Sequence, residues 1–175
     1  DQDHAANALS QALRFLRHAV GEEVLNSRGM DEVWIDEAKL WCDAVAFEGA
    51  VERGDFAETL ALYRGELLAG LHVPAAPEFE RWLEVERARL RGRTGEAAAT
   101  LADAAETAGD LQQAAHWLRK AADIGSYDEV FLRRLLTVLD RVGERAAALR
   151  AYQDFAQRVA QELDAEPAPE TRALA

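Results

Sequence analysis

A glycine followed at once by an acid recurs three times along this 175-residue chain, and no other feature narrows its fold so far. The copies are Gly54-Asp55-Phe56-Ala57-Glu58-Thr59-Leu60, Gly109-Asp110-Leu111-Gln112-Gln113-Ala114-Ala115 and Gly143-Glu144-Arg145-Ala146-Ala147-Ala148-Leu149. Glycine takes the left-handed conformation that ends a helix, and the acid beside it caps or charges the start of another. Each copy therefore predicts two helices joined by a tight turn. Gly109 and Gly143 lie 34 residues apart, the period of a tetratricopeptide-type helix pair. Gly54 and Gly109 lie 55 apart, so a segment is inserted between the first two copies. Helical hairpins bury their apolar faces on neighbouring repeats and leave a grooved surface, which points to binding a macromolecule.

Ahead of the repeats the pattern differs. A first helix is expected over 3–20 and is stopped by Gly21. Leu9, Leu13, Leu16 and Val20 fall on one stripe, and His4, Asn7, Gln11, Arg14 and His18 occupy the opposite face. The period then changes to that of strands. Residues 24–28 and 33–35 read as a β-hairpin around Gly29-Met30-Asp31-Glu32, which needs the first helix to pack against.

From Asp36 onward everything reads as helix. A helix over 36–53 is expected to turn Leu40, Trp41, Val45 and Val51 inward, with Cys42 a small buried filler. The next, over 55–68, carries Leu60, Tyr63 and Leu67. A loop over 70–77 gives Pro77 the first position of a long helix to 107, with Phe79, Trp82, Leu83, Leu90 and Leu101 as apolar contacts. Gly92 and Gly95 are expected to weaken or bend it. Helices over 110–124, 127–142 and 144–163 follow, then a turn over 166–171 and the start of one more helix. The fold class is mainly α. A tetratricopeptide-like helical-hairpin repeat domain is expected over 36–175, with a helix and β-hairpin over 1–35 in front.

Composition limits the function classes. The formal net charge is −12, and such a surface repels nucleic acid and anionic membranes, so nonspecific DNA binding by the chain as a whole is not expected. A single cysteine, Cys42, forms no internal disulfide, which fits a cytoplasmic location. No apolar run reaches membrane-spanning length and no signal segment precedes the first helix. A start at Asp1 and not Met is what an excised piece shows. His4, His18, His72 and His116 have no metal-ligand spacing. The stretch from Gly65 to Gly70 lacks the lysine and hydroxyl residue of a phosphate loop, and no nucleophile has a local signature. Neither an enzyme nor a cofactor is expected.

Helix followed by hairpin is the order at the end of a winged helix, and Leu13-Arg14-Phe15-Leu16-Arg17-His18-Ala19-Val20-Gly21 resembles the LR-x-x-LG ending of an OmpR/PhoB-type recognition helix. The remainder resembles the bacterial transcriptional activator domain of the Streptomyces antibiotic regulatory protein family. The phrases that carry this resemblance are Trp41-Cys42-Asp43-Ala44-Val45-Ala46-Phe47-Glu48, Ala61-Leu62-Tyr63-Arg64-Gly65-Glu66-Leu67-Leu68-Ala69-Gly70, Pro77-Glu78-Phe79-Glu80-Arg81-Trp82-Leu83, Gly143 through Tyr152, and Glu162 through Thr171. The resemblance implies a transcriptional activator that binds promoter DNA through the winged helix, as a homodimer, and uses the helical domain for dimerisation, RNA polymerase contact or both. Two features depart from the pattern. The first helices and leading sheet of a winged helix are absent, and Asp1, Asp3, Glu22, Glu23, Asp31 and Glu32 outnumber Arg14, Arg17 and Arg28 within 1–35, where a DNA-reading surface is normally basic.

With the first helix in a major groove, Asn7 and Gln11 would pair with adenine edges and Arg14 with guanine or phosphate. His18 would touch the backbone, and Arg28 on the wing a phosphate or the minor groove. The plain alternative is a solvated helix face. Tyr63, Trp82, Trp117 and Tyr152 are expected to lock helices together as core, the alternative being that Tyr63 and Trp82 line a groove for a partner protein. The acidic surface is either solubilising or matched to a basic polymerase surface. The rival function is a tetratricopeptide-type adaptor that binds a partner without reading DNA. A small-molecule sensor has no support beyond the architecture.

Overall fold

The computed structural model describes residues 2–29 and 32–175, the side chains of Gln2 and Asp3 excepted. Met30 and Asp31 of the expected turn lie outside the described residues. Two compact units divide the chain, Asp1–Ala46 and Phe47–Ala175.

In the first unit, α1 (Gln2–Val20) ends at Gly21, whose φ of +113° suits glycine and whose N–H donates to the Arg17 carbonyl at 2.8 Å. Strands β1 (Leu25–Arg28) and β2 (Glu32–Ile35) pair antiparallel, with Leu25 opposite Ile35, Asn26 opposite Trp34, Ser27 opposite Val33 and Arg28 opposite Glu32. Helix and hairpin thus form where the change of period places them.

Residues 36–42 do not form a helix. The Asp36 carbonyl accepts from the Lys39 and Leu40 N–H groups, and its carboxylate accepts from the Ala38 N–H at 3.1 Å. These bonds close one isolated turn over 36–40. Helix α2 (Asp43–Arg53) begins seven residues later than expected and buries Phe47 and Ala50, while Leu40, Trp41 and Val45 are exposed and Cys42 is half-buried.

The second unit holds α3 (Phe56–Leu62), α4 (Pro77–Thr107), α5 (Leu111–Ile124), α6 (Glu129–Val142), α7 (Arg145–Leu163) and α8 (Pro169–Arg172). The three Gly–acid turns share one geometry. Gly54, Gly109 and Gly143 have φ of +70°, +78° and +83°. Each donates to the carbonyl three residues back, and the acid after it donates to the carbonyl five back, at 2.9 Å in all three copies, which is the Schellman helix stop. Asp55 and Asp110 then cap the next helix, accepting from the Glu58 and Gln113 N–H groups at 3.0 and 2.9 Å. Glu144 does not cap; its carboxylate pairs with Arg119 at 2.8 Å.

Consecutive helices α3 to α7 pack side by side. Ala102, Ala105, Ala114 and Ala115 let them approach closely, and Leu118, Leu132, Leu135, Leu136, Val138, Leu139, Phe155 and Val159 fill the space between. Pro77 occupies the first turn of α4, as its fixed φ allows.

Two expectations are corrected in this unit, the end of α3 and the burial of Trp82. Helix α3 stops at Leu62, because Tyr63 is extended and Gly65 takes a φ of +151°. The loop that replaces it is held to α4 by Arg87, which donates to the Leu67 and Leu68 carbonyls at 2.9 Å each. Trp82 is not core but half-exposed, tilted against Phe79 with ring centroids 5.6 Å apart; the buried residue beside it is Leu83. Helix α4 runs to Thr107 as expected, continuous through both its glycines. Gly95 is a close-approach site: a β-carbon there would meet Phe131 Cε2 at 2.9 Å. Trp117 and Tyr152 do pack on the core, each partly buried.

The tail expected as a turn over 166–171 is partly helical, and it docks on the start of α6. Buried Thr171 and the Ala168 N–H both donate to the Glu129 carboxylate, and Arg133 lies 3.6 Å from it. Burial raises the Glu129 carboxyl, but the bonds from Thr171 and Ala168 and the charges of Arg133 and Arg172 outweigh it, so the net shift is downward.

Candidate nucleic-acid interface

Steps of four, three and four from Asn7 through Gln11 and Arg14 to His18 keep these side chains on one face of α1. All four are exposed. At 1.5 Å per residue they span about 16 Å along the helix, enough to follow several base steps in a major groove. Asn7 and Gln11 each offer a paired donor and acceptor, and among the described residues Arg14 has no acid bound to it, so its guanidinium is available to a ligand. Phe15, exposed on the same side of the helix, escaped the sequence reading because it breaks the polar pattern.

Arg28 is not part of this face. It stands at the end of β1, exposed, with the acid Glu32 as its cross-strand neighbour. That neighbour weakens its attraction for a phosphate.

The helix and the hairpin are tied by a residue that sequence reasoning passed over. Arg17 Nε donates to the Leu25 carbonyl and its Nη2 to Ser27 Oγ, each at 2.9 Å. Both anchors lie on β1, so one planar guanidinium sets the hairpin against the last turn of α1. The only signal for this in the sequence is an arginine off the polar face, four residues before the helix-stopping glycine. Lys39 braces the same unit, 2.8 Å from Glu23 and 3.7 Å from Asp36. Its hydrogen bond lowers the Glu23 carboxyl, and the same bond raises the Lys39 ammonium.

The opposite face of α1 is largely uncovered. Leu9, Leu16 and Val20 are 53%, 45% and 43% exposed, in a stripe whose spacing is that of a buried seam. Val33, Trp34 and Ile35 on β2 are similarly open.

Among the described residues no group of His, Cys, Asp and Glu converges to hold a metal, and no helix is long and apolar enough to cross a membrane. The helical-hairpin architecture built on the Gly–acid turns agrees with a family match. Residues 36–175 match the bacterial transcriptional activator domain. The chain belongs to that family. This is a regulatory family and not one of enzymes, so the chain carries a module of transcription regulation in bacteria. The activator domain covers α2 through α8, and the candidate interface on α1 and β1 lies ahead of it. No curated protein matches the chain.

Proposed function

We propose that this chain is the regulatory part of a promoter-binding activator, with α1 as its recognition helix and β1–β2 as its wing. Residues 1–35 form the DNA-reading end, and 36–175 mediate homodimerisation and contact with RNA polymerase in the bacterial cytoplasm. The observation that carries this reading is the exposed row Asn7, Gln11, Arg14 and His18 directly ahead of an activator domain. His18 touches DNA backbone at one end of the row, and Arg28 reaches a phosphate from the hairpin. The bare stripe Leu9, Leu16 and Val20 supports a further helical layer behind α1, as a winged helix needs to close its core. Activation then works by recruitment, since 1–2 kcal/mol of added contact energy raises polymerase occupancy roughly five- to thirtyfold.

A second reading is favoured by the acid excess of residues 1–35 and by Glu32 beside Arg28. On it the helical repeats serve as a protein-binding adaptor and α1 does not read DNA.

Fluorescence anisotropy with promoter DNA, titrated against salt, separates the two. It is run on this chain and on the longest form its gene encodes. Phosphate contacts give an affinity that falls by about 0.9 log units per contact for each log unit of salt. Steep, sequence-specific binding that drops at least several-fold on Arg14→Ala supports the activator; absence of binding by either form moves the assignment to the adaptor.

A further inference from the structure

A cleft of about 500 Å³ opens in the helical unit between the loop after α3, the middle of α4 and the α5–α6 turn. That is the size of pockets that hold small organic ligands. The rings of Tyr63, Tyr127 and Phe131 line it. Phe131 is seated there because Gly95 and Gly125 lack side chains: a β-carbon on either would come within 2.9 to 3.0 Å of the ring. At Gly92, another lining residue, a β-carbon would meet nothing within 4 Å, so that side of the cleft is open space.

The charges in this cleft are unequally spent. Glu66 is paired with Arg91, and Asp128 caps α6 through the Val130 N–H at 2.8 Å. Among the described residues the Asp123 carboxylate has no hydrogen-bond donor. The residue is exposed at the cleft; partial desolvation raises its pKa and the charge of Arg158 opposes this. A carboxylate without a donor gains from a cation brought to it, and aromatic rings lining the same cleft favour the same sign of charge.

We propose that this cleft is a binding site for a small organic cation with a flat apolar body, its charge at Asp123 and its body against Tyr63, Tyr127 and Phe131. Such a ligand bridges the loop after α3 to the α5–α6 turn. The site stands independently of whether α1 reads DNA.

Benzyltrimethylammonium is a suitable probe, followed by amide chemical-shift titration of the 175-residue chain. A ligand of this size binds with a Kd in roughly the millimolar range. Saturable shifts are expected at Gly65, Gly92 and Gly125. The similarly sized anion 3-phenylpropionate should produce none there. Asp123→Asn, which removes the charge and keeps the shape, should weaken binding about fivefold or more. Gly92→Leu should do so by filling the open side, in a helix that the substitution favours. The proposal is overturned if no saturable shift appears in the cleft up to about 50 mM probe, if the anion binds equally, or if both variants bind as the parent does while keeping its spectrum.

Discussion

Replacing Gly95 by alanine adds one methyl group where Phe131 already stands. The new β-carbon would lie 2.9 Å from Phe131 Cε2 and 3.2 Å from Cζ, against an ordinary carbon–carbon contact of about 3.5–4.0 Å. The ring must retreat by roughly half an ångström or more, and its Cδ2–Cε2 edge, which faces Gly95, is packed on Gly125 as well. Overpacking of this kind costs about 1–3 kcal/mol. Opposing it, alanine in a helix interior is better than glycine by about 1 kcal/mol. The net expectation is a loss of about 0–2 kcal/mol, or up to about 8 °C in Tm for a chain of this size. Gly92 lies three residues away in the same helix with nothing within 4 Å of an added β-carbon, so Gly92→Ala should gain about 0.5–1 kcal/mol. Urea and thermal unfolding followed by circular dichroism at 222 nm would measure both. A further variant combining Gly95→Ala with Phe131→Leu should recover part of the loss. Equal stabilisation by Gly92→Ala and Gly95→Ala would refute the argument, since it would mean that the contact with Phe131 carries no strain.

Leu83→Ala should cost about 2–5 kcal/mol, because the side chain is fully buried, whereas Trp82→Ala next to it should cost clearly less; comparison of the two melting curves checks this. Glu129→Gln should destabilise the docking of the C-terminal tail by about 1–3 kcal/mol at pH 7, the worth of charge-assisted bonds from Thr171 and Ala168. Its sign with pH follows from the lowered Glu129 pKa: the contribution is present above the unfolded carboxyl pKa and is lost as pH falls through the folded one. Unfolding of parent and variant from neutral pH into the acid range should therefore converge, and a gap that persists unchanged would refute it.

Much of this protein is written locally. Three glycine–acid pairs stop and restart helices because left-handed φ and side-chain capping depend on two or three neighbouring residues, and Pro77 opens α4 for the same reason. The polar row on α1 and the hairpin after it follow from period alone. The rest depends on residues far apart in the chain. Nothing near Tyr63 said that Arg87 would hold the following loop as a loop. Gly92 and Gly95 look alike in sequence; only the placement of Phe131, 36 residues beyond Gly95, makes one an open position and the other a seat for a ring. Trp82 and Leu83 both read as core, and packing buried one of them. Arg17 was invisible as a brace because its partners lie on a strand whose approach no local pattern encodes. Backbone conformation is decided over a few bonds. Burial, close approach and the pairing of charges are decided by which helices meet, and that is settled only when the whole chain has packed.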